Sequence, residues 1–354
     1  MFVALRDLRF ARGRFILIGS VVALITILVG FLSGLTGGLA TQNISAILQL
    51  PGDRIVFSTT AGESASYSDS AITKQQAAAW ASTAGVTSVL PIGISQTRAE
   101  AGGTRAAIAV FGVQPGFTGA APTQSGHVSL AAPAAKALGV EVGGSVTIGG
   151  SDCVVDSVDG DAWYSHTPVV WMTLTDWQAY AAATGSPDSY ATVLAASGTP
   201  DWAAADTATV SISESVVGSL TALSAFRSEI GSLLLMVAML FGISGLVIGA
   251  FFTVWTMQRQ GDIAVLKALG ASTRSLRTDA LGQALIVLVA GIGVGLGIVT
   301  ALGLLAGSAL PFLLSPLTTL LPGAIMIVLG LAGAAFALRT ITSSDPLTAL
   351  GSTR

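Results

Sequence analysis

Apolar positions gather into one long run, give way to a long polar stretch, and return as three further runs in close succession. The runs cover residues 15–40, 230–257, 280–307 and 318–338. Each exceeds the roughly 18 residues that mark a membrane-spanning helix, since about 20 residues rising 1.5 Å apiece cross a hydrocarbon layer about 30 Å thick. The pattern predicts a membrane α-helical protein with four transmembrane helices, one plus three, and an α+β extracellular domain inserted between spans 1 and 2. The expected organisation is a cytoplasmic N-terminus and first span over 1–40, the outer domain and its stalk over 41–229, the second span over 230–257, a cytoplasmic loop over 258–279, the third and fourth spans over 280–307 and 318–338, and a cytoplasmic C-terminus over 339–354.

Within the polar stretch, short β-rich runs bounded by Gly, Pro, Asp and Ser predict strands at 54–58, 85–90, 105–111, 145–148, 153–155, 168–172 and 190–194. Helices are expected from Thr73 as an N-cap to Trp80, over Ala131–Leu138, and from Thr175 to Tyr180. Residues 140–144 read as a turn feeding a hairpin. Residues 200–229, polar and rich in Ala and Ser, read as a helix leaving the domain for the second span.

Charge sets the orientation. Only 10% of residues are charged, and ten of the 16 basic residues fall in three short segments beside the spans: Arg6, Arg9, Arg12 and Arg14; Arg259, Lys267, Arg274 and Arg277; Arg339 and Arg354. The positive-inside rule puts these segments in the cytoplasm. The inserted domain, with 15 of the 19 acids, then faces outward. The first run is longer than the apolar core of a secretory signal, and Gly38-Leu39-Ala40 is a poor cleavage site, so a retained anchor is expected. A multi-pass cell-membrane protein follows.

Covalent chemistry finds little support. The sequence has no phosphate-binding G-x-x-x-x-G-K-[ST] loop. Its two histidines, His127 and His166, stand outside any metal-binding spacing and read as surface or capped loop residues rather than ligands. Asp152, Asp156, Asp159 and Asp161 lack the Gly and distal Glu of a calcium loop and read as a solvated acidic hairpin. The lone Cys153 reads as a small buried hydrophobe.

Two features of the helices remain. Gly30, Gly34 and Gly38 recur every four residues on the first span, as do Gly245 and Gly249 on the second. Small residues at this spacing let backbones approach closely, either across a dimer seam or within one chain. In the loop after the second span, Ile263, Leu266 and Leu269 share a helical face, with Asp262 near the start, Lys267 near the end and Gly270 placed as a C-cap. This short amphipathic helix would rest on lipid or on a partner protein.

The segment Asp262-Ile-Ala-Val-Leu-Lys-Ala-Leu-Gly-Ala-Ser272 resembles the "EIGILKALGAS" stretch of ABC transporter permeases of the FtsX/MacB (type VII) family. Asp345-Pro-Leu-Thr-Ala-Leu350 resembles their C-terminal signature, and His127–Leu130 with Ala137–Val146 resembles part of their outer domain. The resemblance implies that 262–270 is a coupling helix received by a separate ABC ATPase subunit, two copies of which bind ATP-Mg and serve a homodimer of this chain. It implies no cofactor on this chain. Within the family the chain is most similar to the HrtB/DevC group, which implies efflux of heme as substrate. A lipid, lipoprotein or antimicrobial-peptide exporter, or an FtsX-like mechanotransmitter that transports nothing, would use the same machine. Under the heme reading Glu229, at the outer end of the second span, and Met236, seven residues and about 10 Å further along the helix, present a carboxylate and a thioether to the iron, with Arg227 near the propionates.

Overall fold

The computed structural model describes residues 12–59, 63–115, 117, 121–258, 261, 265, 269–306 and 310–342. The chain divides into two compact units, Leu39–Gly231 and the remainder. Helix α1 (Arg12–Leu48) carries the first apolar run and continues beyond residue 40 into the outer unit, where Ala46 and Ile47 are buried.

The outer unit holds a ten-stranded mixed sheet: β1 (Arg54–Ser58), β2 (Val86–Ala101), β3 (Thr104–Val113), β4 (His127–Leu130), β5 (Ser145–Ile148), β6 (Ser151–Val158), β7 (Trp163–Tyr164), β8 (Thr167–Thr173), β9 (Val193–Gly198) and β10 (Ser211–Ser215). The order is β10-β1-β9-β2-β3-β8-β4-β6-β5, and β5 returns to pair with the far end of β2. Six strands therefore close into a ring, which removes two edges. The neighbours β3–β8 and β4–β6 run parallel and the rest antiparallel.

Because side chains alternate along a strand, one strand can serve two cores. Ile108 and Val110 of β3, with Val170 and Met172 of β8, point into the ring beside Val146, Val155 and Leu138. Ala109, Phe111, Val169 and Trp171 point the other way, into a second core that also takes Ala46, Ile47 and Leu50 after the first span and Leu220, Ala222 and Leu223 before the second. Burial pushes the phenols of Tyr67 and Tyr164 in that core far above their ordinary range, although Ser219 hydrogen-bonds Tyr67.

The helices of the outer unit are α2 (Lys74–Ala81), α3 (Ala132–Leu138), α4 (Leu174–Ala183) and α5 (Trp202–Thr209). Thr73 and Gln76 form a reciprocal capping box at the start of α2. Helix α4 begins at Leu174 rather than Thr175, because the Thr173 hydroxyl accepts from the Asp176 amide. The expected helix over 200–229 is broken. Helix α5 ends where Val210 turns left-handed, β10 then pairs with β1, and a short 3₁₀ turn (Gly218–Ala222) follows. Asp206 holds this strand in place by accepting from the Ser213 amide and from the hydroxyls of Ser211 and Ser213.

Among the described residues, α6 (Ser224–Gln258), whose part from Ser232 onward belongs to the membrane unit, α7 (Thr273–Ala306) and α8 (Pro316–Thr342) join α1 as helices long and apolar enough to cross a bilayer. Ile18, Val22, Phe252, Leu288, Ile292 and Met326 form part of their common core. The glycines read as a dimer seam or as packing within one chain have neighbours within the chain. A Cβ at Gly30 would meet Val299, one at Gly34 the Phe312 ring, one at Gly38 the Pro311 carbonyl, and one at Gly245 Leu329. Span α6 is the least covered, with 11% of its most apolar stretch buried against 33% in each of the others. Asp262, Ile263, Leu266 and Lys267 lie outside the described residues. Of the same segment, Leu269 is exposed and Gly270 has φ +92°.

The cross-strand pair Gly93 and Gly112 forms a bare floor on which Trp177 of α4 lies, its indole N–H donating to Ser95. A Cβ at either glycine would overlap the Trp177 side chain. Gly112→Ala is expected to destabilise the outer unit by about 1–3 kcal/mol through overpacking, measured as a lowered midpoint in tryptophan-monitored thermal unfolding of the purified protein.

Candidate functional site

Strands β7 and β8 pair Trp163 with Pro168 and Tyr164 with Thr167, leaving Ser165 and His166 as a two-residue hairpin loop. Both have positive φ, 48° and 63°, as a type I′ turn requires. The turn sits against the outer end of α1. The Ser165 amide donates to the Asn43 carbonyl at 2.9 Å, and the His166 amide to the Gln42 carbonyl at 3.0 Å.

This docking carries the His166 ring to Glu229, on the first turns of α6. His166 Nε2 lies 3.1 and 3.0 Å from the two carboxylate oxygens, and Asn43 Nδ2 donates to Glu229 Oε2 at 3.2 Å. A carboxylate only accepts, so Nε2 carries the proton and donates. The 3.3 Å approach of Asn43 Nδ2 to His166 Nε2 is then two donors converging on one acceptor. Asn43 is 1% exposed and its Oδ1 is buried without a partner. Glu229 and His166 keep 39% and 35% of their side chains open to the surroundings, so the carboxylate is held yet reachable.

Of the residues singled out in the sequence for substrate, Glu229 stands in this cluster. Arg227 is exposed and lines a polar cleft of about 640 Å³ with Ser58, Ser66, Asp69 and Ser70. Met236 is exposed on α6 and belongs to the membrane unit. His166 and Asn43 were not foreseen as site residues. His166 is the loop residue expected, with its ring held by Glu229, and the clue to the turn was local: a Ser-His pair between two β-rich segments, where a tight turn ordinarily takes Asn-Gly. His127 pairs instead with Asp156, and Thr147 donates to Asp152. Among the described residues no group of three or more His, Cys, Asp or Glu is placed to hold a metal ion.

Residues 227–346 match the FtsX-like permease C-terminal family model. Over 117 residues, about a third of either chain, this protein is 32% identical to a protein of Staphylococcus haemolyticus named as the hemin transport system permease HrtB. A protein of the same name from Staphylococcus epidermidis is 23% identical over 99% of both chains. Among solved structures, the periplasmic region of MacB from Actinobacillus actinomycetemcomitans matches 48% of this chain and 92% of its own length, with 11% identity and a TM-score of 0.36. The extracellular domain of the Gram-positive transporter YknZ matches 44% of this chain and 87% of its own, with 13% identity and a TM-score of 0.32. Four spans arranged one plus three, with an α/β outer domain between the first two, go with the family match over the last three, and over that stretch the chain is similar to FtsX-like permeases.

Proposed function

We propose that this permease exports hemin from the outer part of the membrane, as a homodimer driven by two copies of a separate ABC ATPase. The reading is supported above all by the Glu229 carboxylate, reachable at the start of α6 and held by two donors, in a chain whose full-length relatives are named for hemin transport. In this reading Glu229 offers an oxygen to the ferric iron, Met236 a secondary thioether contact, and Arg227 a positive charge for the propionates. An ionisable residue at the rim of a span is costly to keep and marks a substrate path by default.

Hemin is apolar apart from its iron and propionates, so entry is lateral, from lipid. ATP-driven closure of the ATPase pair pushes the coupling helices over 262–270, the motion passes along α1 and α6, and the ligand is expelled outward. The uncovered apolar face of α6, including Leu235, Met239 and Leu246, is the surface the second copy meets. Both termini are cytoplasmic and the α/β domain is extracellular.

Glu229→Gln keeps shape but removes the anionic oxygen. It should shift or abolish the Soret band of the purified complex in hemin and remove hemin-stimulated ATP hydrolysis, with Met236→Ala giving a weaker loss. Wild-type protein without a Soret-absorbing complex at micromolar hemin would refute the substrate reading. Leu266→Asp places a charge on the apolar face of the coupling helix and should abolish copurification of the ATPase while membrane insertion persists. Retention of the ATPase would mean that the helix lies on lipid. For orientation, a cysteine at Ser125 should react with an impermeant maleimide on intact cells and one at Ser272 should not, and the reverse would overturn the topology. The native Cys153 should stay silent in that assay, since burial, then Asp176 and Asp152, raise its thiol above the ordinary range and deplete the reactive thiolate.

A further inference from the structure

We infer that a groove between α1 and α7 holds the acyl chain of an anionic phospholipid, with its phosphate beside Arg12 and Arg14. The site stands whatever cargo the permease carries. The two helices run parallel and meet backbone to backbone: a Cβ at Gly291 would strike the Gly19 carbonyl and Val22, and one at Gly295 the Ala23 carbonyl and Thr26. Helices in lipid lack a hydrophobic drive to associate and rely on such close approach. Beside this line of contact the small residues leave a gap of about 450 Å³, lined by Phe15, Gly19 and Ala23 of α1 and Ile286, Ala290 and Val294 of α7. A Cβ at Gly19 would meet nothing within 4 Å. Ser20 is the one polar side chain in the lining, and the groove lies wholly within the membrane unit. Its Phe15 wall is held in place, since that ring packs edge-on against Trp255 with centroids 5.9 Å apart.

Atoms that face a void forfeit their dispersion contacts, so a groove between two spans takes up whatever apolar group fits it. An acyl chain and a helix of a second copy both meet that need, and charge decides between them. Arg12 and Arg14 stand on the first turn of α1, immediately before Phe15, where the groove ends. A lipid whose chain lies in the groove presents its phosphate at this level, and arginine meets phosphate through a planar fork of donors. Asp279, an acid on the preceding turns of α7, is engaged by Gln283 Nε2 at 3.2 Å. A second copy fits less well. A two-fold interface brings one patch onto itself, and two parallel α1 helices joined here would crowd Arg12 and Arg14 of both copies together. Basic residues at the end of an apolar groove between spans are the arrangement that selects an anionic headgroup. A neutral lipid fills the groove as well but gains nothing from the arginines.

Trp255 is the one tryptophan in the four apolar runs and packs on Phe15 of the groove, so its fluorescence reports the occupant. The full chain is placed in nanodiscs of phosphatidylcholine that carry a minor fraction of chain-brominated phosphatidylglycerol or, in parallel, of chain-brominated phosphatidylcholine. The brominated phosphatidylglycerol should quench Trp255 more strongly at equal fraction. Arg12→Gln and Arg14→Gln should each lower that preference about fivefold, the factor expected of one basic residue at an anionic lipid surface. Gly19→Leu puts a side chain into the groove and should remove the preference while the thermal unfolding midpoint holds or rises. Ala290→Leu fills the groove from the other helix and should do the same, so the result does not hang on one variant's folding. Equal quenching by the two brominated lipids in the wild type would overturn the proposal, as would a preference that survives both groove-filling variants. Ser20→Cys tests for a second copy. Under oxidation it should give no disulfide-linked dimer beyond the wild-type level, and an efficient cross-link would put another chain in the groove and overturn the lipid.

Discussion

The outer unit depends on one shared core, in which the ends of two long helices are sealed together with the sheet. Ala46, Ile47 and Leu50 from the end of α1, and Leu220, Ala222 and Leu223 leading into α6, pack with Phe57, Phe111 and Trp171 of the strands. Each fully buried Leu, Ile or Phe contributes roughly 1.5–3 kcal/mol, so pulling either helix end out of this core would cost several such terms at once. Glu229 lies six residues beyond Leu223 and Asn43 three before Ala46, on stretches of helix that this core fixes. That is why a turn between two short strands can place a histidine against both. The polar cluster follows from the apolar one.

Much of this was legible because the signals are local. Apolar runs of more than 20 residues permit one structure in hydrocarbon, a helix that bonds its own backbone. Thr73 with Gln76 is a capping box readable from two letters, and the left-handed Gly139 after Leu138 closes α3 as its position suggests. The strands at 54–58 and 145–148 coincide with β-rich runs between turn residues. Residues 211–215 misled because Ser-Ile-Ser-Glu-Ser has little strand character. They form a strand since β1 offers an edge and Asp206 supplies acceptors, and neither is visible in the segment itself. The glycine spacing announced close helix packing, and within the chain Gly30 and Gly34 approach Val299 and Phe312.

The site was half legible for the same reason. Glu229 stands out as a charge at the rim of an apolar run, whereas His166 lies 63 residues away and Asn43 186. Only the closed sheet, the β7–β8 turn and the extension of α1 past the expected end of the span bring the three together. The permease family entered through residues 227–346, which contain Glu229 but neither of its donors. A tie between the outer domain and both helices is therefore a property of the assembled fold, and it gives the extracellular unit a direct bond to the residue proposed to meet the substrate.

The most direct test of that account is an experimental structure of the full complex with hemin bound. The account predicts a macrocycle at the outer start of α6, its iron on one oxygen of Glu229, with the His166 imidazole and the Asn43 amide still bonded to that carboxylate. A macrocycle located anywhere that leaves the Glu229 carboxylate untouched would contradict it.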